Sequence, residues 1–282
     1  MARQRGTVGA GALLGLLVLA VTGRADEAAA VKAIEKLGGR VRVDDRQPGA
    51  PVVVGVDFHF TEVTDAGLKE LKKLKSLQSL DLTDTKITDA GLKELKELKS
   101  LQSLDLTDTK ITDAGLKELK ELKSLQELDL SGTKVTDAGL KELKELKSLQ
   151  RLNLFGTSVT DAGLKELKEL KHLQWLVLGP VAVTDGALRT LREIGLLHVL
   201  AEATAKGEKR PSSSADVTSV DLNYTKVTGA GLKELKEFKN LQELCLGFTA
   251  ITDADLKGQP FQGHLLLRSA MSRAVETCSP FL

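Results

Sequence analysis

The sequence has little of what most functional sites are built from. Aromatic residues make up 3% of its 282 positions, with one Trp and one Tyr. There are two cysteines, Cys245 and Cys278, too few for a disulfide framework. Neither sign of charge dominates, with 40 Lys and Arg against 39 Asp and Glu. Without the first 25 residues, which hold Arg3, Arg5 and Arg24 and no acid, 37 basic residues face 39 acidic ones. That balance argues against nucleic-acid binding, which needs a clustered basic face. The histidines His59, His172, His198 and His264 are scattered, with no paired-ligand spacing. There is no G-x-S-x-G, no H-E-x-x-H, no phosphate-binding glycine loop and no cysteine pair of zinc spacing. No catalytic residue, metal ligand or cofactor is expected, and the chain is not read as an enzyme.

Long apolar runs are also scarce. The one candidate is N-terminal, where Arg3 and Arg5 precede an apolar or small stretch from Val8 to Val21 and small residues lead to Ala25. The stretch is shorter than the roughly 20 residues a spanning helix needs. It reads as a signal peptide over residues 1–25, cleaved after Ala25, with an uncleaved membrane anchor as the competing reading. The expectation is a secreted, periplasmic or cell-envelope protein with no membrane span after cleavage.

What is abundant is repetition. The phrase LQSLDLTDTKITDAGLKELKELKS fills residues 77–100 and recurs unchanged over 101–124. TDAGLKELK occurs intact at Thr64, Thr88, Thr112, Thr136 and Thr160, and TGAGLKELK starts at Thr228. Within each copy, Leu80 and Leu82 flank Asp81 with the period of a short strand. Thr88 or Asp89 caps a helix of about 10 residues, whose Leu92, Leu95 and Leu98 share one face. Gly91 in its first turn suggests close packing between copies. So short a helix is unstable alone, so neighbouring copies must cover its apolar stripe. That is the logic of a solenoid.

The pattern L-x-x-L-x-L-x-x-T-x-I resembles the leucine-rich repeat, with Thr in place of the usual Asn or Cys. The TDAGL continuation is similar to the repeats of F-box/leucine-rich-repeat proteins and of secreted bacterial ones. The resemblance implies an α/β fold: a curved horseshoe with a parallel sheet on the concave side and helices on the convex side. Thr85, Thr109, Thr133, Thr157 and Thr225 would form a hydroxyl ladder bonding the backbone.

The organisation expected is an N-terminal cap over 26–52, repeats over 53–196, an interruption over 197–216, repeats over 217–264 and a C-terminal cap or tail over 265–282. In the cap, residues 28–37 read as a helix and Val41 to Val43 as an edge strand. At the interruption the leucine spacing suggests one helix extended to about Ala205 and then an exposed loop. A partial repeat is the alternative.

Function then falls to a surface. The position between the strand leucines forms an acidic concave column of Asp57, Asp81, Asp105, Asp129 and Asp221, interrupted by Asn153 and Val177. It reads either as one solvated Asp copied by duplication or as a ribbon for a basic partner or cations. The departures Arg151, Phe155, Trp175, Tyr224 and Phe248 are candidate partner-binding anchors, since aromatics and Arg dominate interface energetics. Cys245 joins the same column and reads as an unpaired thiol, since pairing with Cys278 would need the tail to fold back. The convex Lys/Glu lattice, including Lys93 and Glu97, reads as a solvated surface. The expected activity is protein–protein recognition through the concave face. An adaptor in an F-box-like complex and a structural envelope component are the alternatives.

Overall fold

The computed structural model describes residues 25–45, 51–257 and 266–268. The signal-peptide reading therefore falls almost wholly outside the described residues. So does the reading of 265–282 as a cap or tail, except for Leu266–Arg268.

The chain enters through a helix, α1 (Ala25–Lys36), and strand β1 (Arg40–Asp44), which pairs antiparallel with β2 (Val52–Asp57). Three-residue strands follow at the repeat interval: β3 (Ser79–Asp81), β4 (Ser103–Asp105), β5 (Glu127–Asp129), β6 (Arg151–Asn153) and β7 (Trp175–Val177). Each pairs in parallel with the one before and in register with the phrase, so Leu80 meets Leu104 and Asp81 meets Asp105. Strict repetition leaves no other register that keeps the leucines inside. They are indeed inside: Leu80, Leu104, Leu128 and Leu152 are each 1–2% exposed. Beside them the hydroxyls of Thr85, Thr109 and Thr133 each donate to the backbone carbonyl three residues earlier, at 2.6 Å.

The convex side differs from the 10-residue helix expected. The repeats starting at residues 77, 101, 125, 149 and 217 each have an α-helical stretch of four residues, such as Asp113–Leu116, continued as a 3-10 helix, here Lys117–Glu121. The cause is the leucine spacing. Leu116, Leu119 and Leu122 recur every third residue, and 3.0 residues per turn sets them in one line towards the core. All three are fully buried. On the surface of this side, ion pairs tie one repeat to the next: Lys99–Glu121, Lys123–Glu145 and Lys147–Glu169.

The TDAG stretch divides its work among three residues. Thr112 caps its own helix, its Oγ1 accepting from the Ala114 N–H. Asp113 does not cap. Its Oδ1 accepts the Thr136 N–H at 2.8 Å and its Oδ2 accepts the Thr136 hydroxyl at 2.7 Å. Gly139 leaves room for that carboxylate, because a Cβ there would stand 2.5 Å from Asp113 Oδ1. A hydrophobic stack that could slide is thereby pinned at each course.

At the interruption the expected helix to Ala205 is not found. The helix runs Asp185–Glu193 and stops at Gly195, whose φ of +76° is glycine territory. The Leu196 N–H bonds Leu191 O and the Gly195 N–H bonds Arg192 O, a Schellman motif. The chain then returns to the sheet. Leu200 bridges Leu176 in parallel, and β8 (Ala203–Ala205) turns back antiparallel to β9 (Val217–Asp221). The insertion is thus a partial repeat, with a place on the concave sheet and none on the convex side. There the stack passes straight over it, since Asp185 grips Thr228, 43 residues on, at 2.8 and 2.6 Å. The sheet divides at this point. β1 to β7 form one sheet, and β8, β9, β10 (Glu243–Cys245) and β11 (Leu266–Arg268) form the other. Cys245 is buried and disulfide-bonded, which corrects the reading of it as an unpaired thiol. The sequence holds one other cysteine, Cys278, outside the described residues.

Candidate functional site

The concave column is less free than an exposed acidic ribbon would be. Asp81, Asp105 and Asp129 are half-buried, and the Oδ1 of each accepts the backbone N–H two residues on, at 2.8–2.9 Å. Asn153 does the same at 3.0 Å, and Asp221 at 2.9 Å. This position therefore selects Asp or Asn because that side chain bonds its own turn. Burial pushes the Asp105 carboxyl above its ordinary value, and Asp129 and Asp81 on either side push it further. Burial likewise raises Asp221. Between Ser103 and Trp175 the face forms a depression of about 260 Å³, lined by Asp105, Glu127, Asp129, Arg151 and Asn153.

Two of the candidate anchors stand at the end of this depression. The Arg151 guanidinium lies 3.8 Å from the centroid of the Trp175 ring, and Arg210 from the insertion lies 5.0 Å from it. Trp175 is thus a half-buried ring held between two cations, worth about 1 kcal/mol per contact. Arg210 also donates to the carbonyls of Leu200, Ala201 and Ala203 at 3.0–3.2 Å, which fixes the insertion beside the ring. Opposite Asp221, Glu202 has a buried Oε2 without a hydrogen-bond partner. Burial is the main cause that pushes its carboxyl up to about 7, with Asp221 adding to it and Arg210 opposing.

The other three anchors lie on the loop rim beyond the strands. Three residues after the column positions of most repeats the backbone turns left-handed. Asp84, Asp108, Gly132 and Gly156 fill this place in the central repeats, with φ between 51° and 68°. Asp and Gly tolerate that conformation, whereas bulky residues are outliers in it. Yet Phe60, Tyr224 and Phe248 adopt it at φ of 55°, 60° and 57°. Tyr224 and Phe248 stack with centroids 4.5 Å apart and planes 7° apart, and they are 61% and 68% exposed. Phe155 is also exposed and lies over Gly179, where a Cβ would meet its ring at 2.8 Å. Arg151 with Trp175 and Tyr224 with Phe248 therefore form two separate pairs, and Phe155 stands on a third part of the face.

One group was not legible as a set in the sequence. Asp57, His59 and Asp81 come together at the first two strands, with one ligand atom from each lying within 4.8 Å of the others. The signal was available: His59 stands two residues from one column Asp, and the 24-residue period brings the next Asp alongside.

Stacked parallel courses, a leucine core and one backbone ladder per repeat define the architecture, and the family model described as leucine rich repeat matches residues 75–135 and 99–159. Residues 75–159 belong to the leucine-rich-repeat family. Among solved structures, this repeat protein is similar to internalin C2 of Listeria monocytogenes strain 4b F2365. That likeness has 23% identity, a TM-score of 0.50, and covers 88% of this chain and 93% of the other. An internalin inlF of the same strain is 15% identical with a TM-score of 0.40, over 89% and 96% of the two chains. A structure of PEPR1–AtPEP1 is 18% identical with a TM-score of 0.44, over 90% of this chain and 41% of the other. At such identities the likeness speaks for the fold alone. None of the curated proteins compared with the chain matches it. No helix among the described residues is long and apolar enough to cross a membrane.

Proposed function

We propose that the chain is an exported binding protein that recognises another protein through the C-terminal half of its concave face and the adjoining loop rim. Leucine-rich-repeat proteins commonly mediate protein–protein interaction. The observation that carries the proposal to this rim is the Tyr224–Phe248 pair. A left-handed conformation costs an L-residue about 1–2 kcal/mol, and an aromatic pair returns about 0.5–1.5 kcal/mol. Two large rings left in water in that conformation give folding no clear gain. They do give a partner a flat, rigid apolar platform, and strained backbone held in place by surrounding structure is characteristic of binding sites. Arg151 and Trp175 supply a second contact zone, and Phe155 a third. Export rests on the signal-peptide reading of residues 1–25.

The test replaces the platform with the residue that the central repeats carry there. A Tyr224→Asp/Phe248→Asp variant should keep the wild-type thermal melt. It should lose the proteins that the immobilised wild-type chain captures from the extracellular fraction of its source. Trp175→Ala should weaken the same capture. Equal capture by wild type and the double variant would sink the rim as the docking site. Export is checked separately, by N-terminal sequencing of the released chain, which should begin at Asp26.

A further inference from the structure

We propose that Asp57, His59 and Asp81 form a binding site for a divalent first-row transition ion, with Zn²⁺ as the working probe. Asp57 and Asp81 are direct partners on β2 and β3, so their carboxylates stand side by side at the strand ends. His59 follows in the turn, its backbone N–H bonded to Asp57 Oδ1 at 3.0 Å and its Nδ1 2.5 Å from the same oxygen. The backbone bond fixes the turn, and the Nδ1 contact already holds the imidazole against the Asp57 carboxylate. All three residues are half-buried, which leaves room for an ion to reach them from the concave side.

The ligand set points to the class of ion. One imidazole nitrogen with two carboxylates suits Zn²⁺, Co²⁺, Ni²⁺ or Mn²⁺, whereas Ca²⁺ and Mg²⁺ take oxygen alone. Arg40 lies opposite Asp57 in the antiparallel ladder, so the site is less negative than its carboxylates alone would make it. That favours an ion held by a nitrogen donor over one held by charge. Three protein ligands leave at least one position open, as in zinc sites that keep a water or an outside ligand.

This site is separate from the Tyr224–Phe248 platform, and its positions can be changed without upsetting the fold. Thr83 and Thr107 occupy the place of His59 in the next repeats, and Asn153 already performs the turn-bonding of Asp81. His59→Thr and Asp81→Asn are therefore substitutions that this scaffold accepts elsewhere. Calorimetric titration of Zn²⁺ into the full chain should show one saturable site per chain. Co²⁺ in its place should give a visible absorption band that Zn²⁺ abolishes. His59→Thr should remove the band and weaken Zn²⁺ binding at least tenfold, Asp81→Asn should weaken it several-fold, and His172→Ala should change neither. Circular dichroism should show all three variants folded. The proposal is overturned if none of these ions binds, if binding survives His59→Thr, or if His172→Ala weakens it as much.

Discussion

Asp89 Oδ1 accepts the Thr112 N–H at 2.8 Å while its Oδ2 accepts the Thr112 hydroxyl at 2.6 Å. The same clasp joins Asp113 to Thr136, Asp137 to Thr160 and, across the insertion, Asp185 to Thr228. Asp113→Ala in the middle of the array should leave a partly buried N–H and hydroxyl without their acceptor. The cost should be about 1–3 kcal/mol, read as a lower urea midpoint with an unchanged slope. Asp113→Asn, which keeps an oxygen for the N–H, should cost less. Equal stability of wild type and Asp113→Ala would remove the clasp from the account of the fold.

The glycine after the clasp gives a sharper test, because propensity and packing predict opposite signs. Ala is better than Gly inside a helix by about 1 kcal/mol. A Cβ on Gly139 would nevertheless stand 2.5 Å from Asp113 Oδ1, so Gly139→Ala should destabilise the protein by about 1–3 kcal/mol. In an Asp113→Ala background the same change should cost much less, since only the tips of Leu116 and Val135, at 3.0 Å, then crowd the new Cβ. A double-mutant cycle in urea measures that difference. Simple additivity would show that the glycine serves something other than the carboxylate.

The fold was legible because one phrase states it many times. Leucines at a spacing of three, the Thr ladder and the TDAG stretch are local signals, and repetition turns each into a stack. What was missed required knowing which distant groups meet. The second role of Asp113 lies one repeat away, and its spacing also fits an N-cap. Gly195 looked like part of a run of leucines, although its left-handed turn ends the helix. The acidic column looked like a surface feature because its turn-bonding is invisible without geometry. The aromatic positions stood out as departures from the phrase. That Tyr224 and Phe248 are neighbours follows from the period, but their left-handed backbone does not.

The lysine–glutamate ladder on the convex side should contribute little. Lys123 Nζ lies 3.1 Å from Glu145 Oε2, and both side chains are about half exposed. Lys123→Ala should leave the unfolding midpoint almost unchanged, and more nearly so in 1 M salt, where the screening length is about 3 Å. A larger, salt-insensitive loss in thermal unfolding would mean that the aliphatic stem, rather than the charge, packs against the next course.

The pH dependence of stability should carry the mark of Glu202. Its carboxyl stays protonated in the folded chain up to about pH 7 but ionises near 4.5 when unfolded. Between those values the native state holds more protons than the unfolded state, so this residue makes stability fall as pH rises through the window. The shift corresponds to at most about 3 kcal/mol. His198 acts in the opposite sense there. Burial lowers its imidazole below 6.5, so the unfolded chain takes a proton that the native chain does not, and stability rises with pH. The two are separated by comparing wild type with Glu202→Gln in urea at pH 5, 6 and 7.5. The variant should gain on wild type steadily from pH 5 to 7.5, and the gap should level off above that. A constant gap would mean that Glu202 is ionised throughout and paired with Arg210, which would make that arginine, rather than burial, the group that decides its charge.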